Sequence, residues 1–143
     1  MRDIYNPLAP PAVAGIPETG PAESDMPFSY VYDVTLSGGE QLLAQQVPID
    51  NDSDFVLRGI YYSWPTGTNG TFTLRLYDAQ NFALSNGPLY NTNYSTDPSA
   101  PTVVGPELNY PAGNKLQLDI TDVSGFGNTI EIVFIGVKRY RLS

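Results

Sequence analysis

Two carboxylates near the end of the chain are the first residues that could do chemistry. Asp119 and Asp122 lie three positions apart, and a pair of carboxyl groups on either side of a glycosidic bond is what glycoside hydrolysis requires. They fall at the end of a predicted strand and in the turn after it, where Asp is an ordinary residue. The chain also has no histidine and no cysteine, which removes the commonest general base and the thiolate metal ligands. We therefore predict no catalytic residues, no cofactor and no metal.

The acidic run DNDSD at residues 50–54 resembles the opening of a calcium-binding loop. An EF-hand loop needs Gly at its sixth position and Glu at its twelfth. Counted from Asp50, these positions hold Phe55 and Tyr61, so the pattern fails. Short polar side chains that hydrogen-bond to their own backbone favour a turn rich in Asp and Asn instead.

Aromatic residues offer a third kind of chemistry, which is stacking on sugars. The chain has ten tyrosines and a single tryptophan, Trp64, which is followed by Pro65. If Trp64 and a tyrosine were exposed and coplanar, they would make a carbohydrate-binding β-sandwich module. If Trp64 is buried, it is a packing anchor. The long, weakly periodic stretch after residue 88 carries three further tyrosines that are candidate loop contacts with a partner: Tyr90, Tyr94 and Tyr110.

The charge is unevenly distributed along the chain. Residues 1–54 contain nine acidic residues and one basic residue, whereas residues 55–143 contain six of each. The only basic cluster (Lys138, Arg139 and Arg141) ends a predicted strand, where we expect it to make an edge soluble. No basic surface is predicted that could neutralise phosphates, and no apolar run is long enough to cross a membrane. We therefore expect neither nucleic acid nor membrane as a partner, and no secretion signal is recognised.

The elements that must position these residues are predicted to be β-strands. In Thr129–Tyr140 the middle is apolar on both faces, which favours a central strand covered above and below. Thirteen glycines and thirteen prolines indicate many turns. The other predicted strands are residues 28–36, 41–47, 55–64, 71–77, 82–84, 102–104 and 115–120. We expect residues 41–47 near an edge and a bulge or a close approach at Gly59. Residues 71–77 are expected to return from 55–64 as a hairpin through residues 65–70. This pattern predicts an all-β antiparallel sandwich, jelly-roll-like or alternatively immunoglobulin-like.

Residues 1–27 differ from the rest, because six of the thirteen prolines lie there. Proline fixes φ and lacks an amide hydrogen, so neither a helix nor a central strand suits this segment. We predict an extended N-terminal arm, followed by a sandwich domain at 28–143; a disordered tail is the alternative. The arm carries the residues expected to contact a neighbouring subunit: Ile4, Tyr5, Pro7, Leu8, Pro10, Pro11, Val13 and Ile16.

Three stretches follow one another over about residues 54–141: FVLRGIYYSWPTGTNGTFTLRLYDAQNFALSNGPL, GPELNYPAGNKLQLDITDVSG and IEIVFIGVKRY. They contain a strand pair, an LRLYD segment, a YPAG turn and a last strand that ends in GVKRY. This order resembles the small β-sandwich capsid decoration (cement) and virion accessory proteins of tailed double-stranded DNA phages.

The resemblance implies a non-enzymatic structural protein of the virion, made in the host cytoplasm. The expected position is the outer surface of the head, where a capsid decoration protein stabilises contacts between capsomers. A neck or tail accessory protein is the alternative. The partners implied are the major capsid protein and further copies of this chain, by preference in a trimer.

Overall fold

A computed structural model describes residues 23–66 and 70–141, which form two antiparallel sheets of four strands each. The elements are β1 (Glu23–Leu36), β2 (Gln41–Pro48), β3 (Asp54–Ser63), β4 (Phe72–Tyr77), β5 (Leu89–Tyr90), a short 3-10 helix (Asn91–Asn93), β6 (Thr102–Tyr110), β7 (Lys115–Asp122) and β8 (Asn128–Arg141). The first sheet has the order β1-β8-β3-β6 and the second β2-β7-β4-β5. The predicted all-β antiparallel sandwich is confirmed, and its strand order is that of a jelly roll.

Strand β8 is the central element, as its apolar run predicts. It lies between β1 and β3, and its inward side chains Ile130, Ile132 and Phe134 are fully buried. On the opposite face Val133 is also buried. At Gly136 an added Cβ would lie 2.0 Å from the Val56 carbonyl oxygen, so glycine is required for β3 to approach β8 this closely.

A bulge in β3 reverses which residues face the core. The register shifts between Leu57 and Gly59 against both β6 and β8. Before the shift Leu57 points into the core, and after it Ile60 and Tyr62 do. One extra residue in a strand has this effect because side chains alternate between faces. The predicted bulge at Gly59 is confirmed, and so is the close approach, since the Thr102 carbonyl oxygen lies 3.3 Å from a Cβ built there.

The predicted hairpin between β3 and β4 is wrong. These strands belong to different sheets, so the connection after Trp64 crosses the sandwich. In a jelly roll most consecutive strands change sheets, and among the strands that the structure describes β4 and β5 alone are both consecutive and paired. The predicted strand at 82–84 is reduced to a single bridge between Ala83 and Tyr77. The strand predicted at 102–104 is the start of β6, which extends to Tyr110.

Strand β1 begins earlier than predicted. Glu23 is already paired with Arg141 in the sheet, so the predicted boundary between arm and sandwich at Pro27 does not coincide with the start of β1. Proline lacks an amide hydrogen and is confined to edge strands. Since β1 is the edge of its sheet, Pro27 does not interrupt the pairing with β8.

Candidate interaction surface

The two carboxylates considered for catalysis lie on opposite faces of β7. Asp122 is buried, whereas Asp119 is partly exposed on the outer face. Asp119 accepts hydrogen bonds from the Tyr77 hydroxyl (2.5 Å) and the Ala44 amide (2.8 Å). The two carboxyl groups therefore cannot act on one substrate, and each has a structural partner set of its own.

Asp122 joins three segments at one end of the sandwich. Its carboxylate accepts hydrogen bonds from the Gly39 amide (2.7 Å) in the β1–β2 turn, from the Ser124 hydroxyl (2.6 Å) and the Gly125 amide (3.1 Å), and from the Asn128 side chain. Burial by itself would raise the pKa of this carboxyl group, but these hydrogen bonds outweigh burial and hold the pKa well below its usual range. Asp122 is therefore a charged tie between loops.

The predicted solubilising role of Lys138 is wrong, because its side chain is buried. Its ammonium donates to Asp50 at 2.7 Å and Asp52 at 3.4 Å, and it lies 4.3 Å from the centre of the Phe28 ring. The hydrogen bond to Asp50 is the main reason why the pKa of Lys138 is raised, against the opposing effect of burial. The acidic turn at 50–54 thus binds a cation, but the cation is a lysine of the same chain.

Ion pairs cross the outer face of the first sheet. Arg139 of β8 donates to both carboxylate oxygens of Asp25 on β1, at 2.8 and 2.9 Å. Arg58 of β3 lies 3.9 Å from Asp25 and also pairs with Glu107 of β6. Acidic residues of the N-terminal part and basic residues near the C-terminus thus meet because β1 is the neighbour of β8.

Trp64 does not form the platform that carbohydrate binding requires. Its ring packs against the core, nearly perpendicular to Tyr62 and Phe72 at centroid distances of 5.1 and 6.4 Å. Its indole nitrogen donates to the Asn128 side-chain oxygen at 3.2 Å. These contacts make Trp64 a packing anchor.

The three tyrosines predicted as loop contacts have different surroundings. Tyr90 is exposed for 56% of its surface. Tyr94 packs against the core with its hydroxyl 3.4 Å from the Leu74 carbonyl, and burial raises its pKa to about 12. Tyr110 is 1% exposed and donates to the Tyr77 carbonyl at 2.7 Å. Tyr110 is a core residue because its side chain, at the end of β6, faces the other sheet. Of the three tyrosines, Tyr90 has the most exposed side chain.

The segment after β5 folds back against the sandwich. Asn91 is buried; its side chain accepts from the Phe72 amide at 3.3 Å and donates to the Tyr62 hydroxyl at 3.0 Å. Phe72 belongs to β4 and Tyr62 to β3, so one amide group links both sheets. This fixed segment brings β5 close to β6 at one open side of the sandwich.

An uncharged apolar groove lies at this open side, between the edge strand β6 and the β4–β5 region. Its volume is about 370 Å³. Its lining includes the buried Ile60 and Leu76 and the more exposed Leu84, Leu89, Val103 and Val104. We call it the β6 groove. Val103, one of the lining residues, is 81% exposed. Sequence reasoning missed the groove because its walls come from four separate segments.

The predicted arm residues lie outside the described residues: Ile4, Tyr5, Pro7, Leu8, Pro10, Pro11, Val13 and Ile16. Their interface role stays a prediction. In the part of the chain that the structure covers, no three acidic side chains converge on a site suited to a metal ion. That same part contains no helix long and apolar enough to span a membrane.

No family model matches this chain, and a search of curated proteins finds no similar sequence.

Proposed function

We propose that this protein is a non-enzymatic structural component of a phage virion, and that it decorates the outer surface of the capsid. The observation that supports this most is the contrast between its polar and apolar surface features. The polar clusters described above serve the fold itself: Asp122 ties loops, Lys138 is paired and Trp64 is packed. The β6 groove, by contrast, is an apolar feature that the fold leaves open. A surface of this kind suits protein assembly.

The fold is compatible with this proposal but does not decide it. Eight-stranded jelly rolls occur in viral capsid proteins as well as in lectins and cupins, and one fold supports many functions. The resemblance of residues 54–141 to decoration and accessory proteins of tailed phages is the reason for choosing the virion. A neck or tail accessory protein is the alternative position.

Electron cryomicroscopy of the intact particle tests the position directly. We expect density for a four-plus-four-stranded sandwich on the outside of the head, at the contacts between capsomers. Density restricted to the neck or tail would overturn the decoration role while leaving the structural role standing. A particle without this protein would overturn both.

Attachment through the arm has its own test, which is deletion of residues 1–22. The deletion must stop there, because Glu23 is already paired in β1. We expect the shortened chain to unfold at an unchanged temperature, since the core lies in the two sheets, and to be lost from particles or oligomers that retain the full chain. Unchanged retention would mean that the arm has no part in assembly.

A further inference from the structure

We propose that the β6 groove is the acceptor site for residues 4–16 of a neighbouring copy of this chain. This inference rests on the proposed assembly function and identifies the surface that the arm would bind. The groove is apolar and lined in part by Leu84, Leu89 and Val103, and none of the described residues that line it is charged.

The composition of residues 4–16 complements the groove. This run, IYNPLAPPAVAGI, contains no charged residue and has apolar side chains throughout except at Asn6 and Gly15. The acidic residues of the first 22 lie on either side of it, at Asp3 and Glu18. An uncharged apolar segment bounded by charged residues is complementary to a groove whose described lining is uncharged.

The prolines favour binding through side chains over addition of a strand to the sheet. Among the described residues β6 pairs with β3 alone, so its other edge is open. However, β6 itself contains Pro106, and the arm has proline at positions 7, 10 and 11. Each proline removes a ladder hydrogen bond, so a β-ladder would be interrupted from both sides. Proline-rich segments instead dock their side chains into apolar grooves in an extended conformation.

The position of the groove favours a neighbouring copy over the same chain. The arm joins β1 at Glu23, and β1 is the edge of its sheet opposite to β6. Ile60 of the groove and Tyr30 of β1 both pair with Phe134 of β8, so they lie at the same level of the sheet. Glu23 is seven residues along β1 from Tyr30, and the groove is two to three strands away from β1. The strand rise and strand spacing therefore place the groove roughly 25–30 Å from Glu23. An extended arm is long enough to cover this distance, but on its own chain it would have to cross the first sheet from the β1 edge to the β6 edge. If the β1 side of one subunit faces the β6 side of the next, the arm lies beside the groove of its neighbour without this crossing.

Arm exchange of this kind is compatible with two closed arrangements. In a two-fold dimer each arm binds the groove of the other copy, and in a cyclic trimer each arm binds the groove of the next copy.

Cysteine cross-linking of the full-length chain tests the acceptor site, because the chain has no cysteine of its own. The test variant carries Leu8→Cys and Val103→Cys. The matched control carries Leu8→Cys and Phe126→Cys, since Phe126 is also strongly exposed (93%) but lies in the β7–β8 loop. Under mild oxidation we expect covalent dimers and trimers from the test variant and monomers from the control. An intramolecular disulfide in the test variant, or equal cross-linking in the control, would overturn the proposal.

A second measurement separates this inference from the proposed function. We expect Val103→Asp to weaken self-association at least tenfold in light scattering, and Phe126→Asp to leave it unchanged, with equal unfolding temperatures for both. If deletion of residues 1–22 weakens assembly while Val103→Asp does not, the arm acts elsewhere and only the acceptor site is wrong. If the deletion also has no effect, the arm-mediated assembly fails as well.

Discussion

The carboxylate of Asp122 offers the sharpest test of how this sandwich is held together. Replacing it by the isosteric amide, Asp122→Asn, keeps the shape and removes the charge. One oxygen of the carboxylate accepts from the Gly39 and Gly125 amides, and the other accepts from Ser124 and Asn128. The amide of asparagine keeps only one of these two acceptor oxygens. The NH₂ group that replaces the other oxygen faces the donors that this oxygen served, so two charge-assisted hydrogen bonds are lost.

The expected cost follows from these contacts. A hydrogen bond to a charged group contributes about 1.5–3 kcal/mol, and water compensates in part for donors in exposed turns. Losing two of them therefore lowers the free energy of unfolding by about 3 kcal/mol. For a domain of this size that corresponds to a fall of about 10 °C in Tm. Asp119→Asn on the outer face of the same strand is the matched control, expected to cost less than about 1 kcal/mol because that carboxylate is partly exposed.

The pH dependence provides a second readout of the same residue. The pKa of Asp122 is lowered in the folded state, so its contribution is fully present above the unfolded pKa of about 4 and is lost as the pH falls below it. Between pH 5 and pH 2 the wild-type chain should lose stability more steeply than Asp122→Asn, in urea titrations at each pH. Equal slopes, or a cost no larger than that of Asp119→Asn, would refute the role of Asp122 as a charged tie.

Three further substitutions test other parts of the fold. Gly136→Ala should lower the free energy of unfolding by more than about 3 kcal/mol or prevent folding, because the new Cβ would overlap the Val56 carbonyl. A soluble, equally stable variant would contradict the close approach of β3 and β8. Lys138→Met should change stability by no more than about 1 kcal/mol in chemical unfolding, since the carboxylates that it leaves behind are more than half exposed and can be hydrated. Glu131→Gln should stabilise by about 0.2–1 kcal/mol at pH 7 and by less at pH 4, because burial and the facing Asp33 raise the pKa of Glu131; a destabilised variant at pH 7 would exclude repulsion within this pair.

The local pattern of the chain was sufficient to predict most strands and the central place of β8. A strand that is covered on both faces must be apolar at every position, and the run from Ile132 to Val137 has this property. Strand β7 alternates in the sequence and in the structure, with Leu116, Leu118 and Ile120 buried. Both patterns depend only on residues within one strand, which is why the sequence reveals them.

The partners of each strand could not be predicted in the same way. The turn chemistry of residues 65–70 fits a hairpin as well as a crossing between sheets, and the choice depends on contacts with distant strands. Strand β6 was mostly missed, because Gly105 and Pro106 hide its periodicity. An edge strand tolerates such residues, but the sequence does not say which strand is at the edge.

The β6 groove was missed, although one of its residues is among the predicted tyrosines. The stretch with the three tyrosines borders the β6 groove, and Tyr94 lines it, but Tyr110 and Trp64 belong to the core and its packing. Aromatic residues in loops give the same signal whether they face a partner or their own sandwich. No local signal in the sequence indicates the groove, because the exposure of Val103 depends on which strands surround β6.

The β6 groove also limits how strongly a single arm can bind. Leu84, Leu89 and Val103 are 42%, 38% and 81% exposed. Full burial of such a side chain is worth about 1.5–3 kcal/mol, so covering these exposed fractions contributes roughly 2–5 kcal/mol from the groove, and the apolar side chains of the arm add a contribution of their own. Against this gain, association costs roughly 4–15 kcal/mol in translational and rotational freedom, and ordering the arm costs more. Joining several such contacts in one closed assembly lowers this cost, because each binding event raises the effective concentration for the next. A free peptide of residues 4–16 should therefore bind far more weakly than the arm does within an assembled particle.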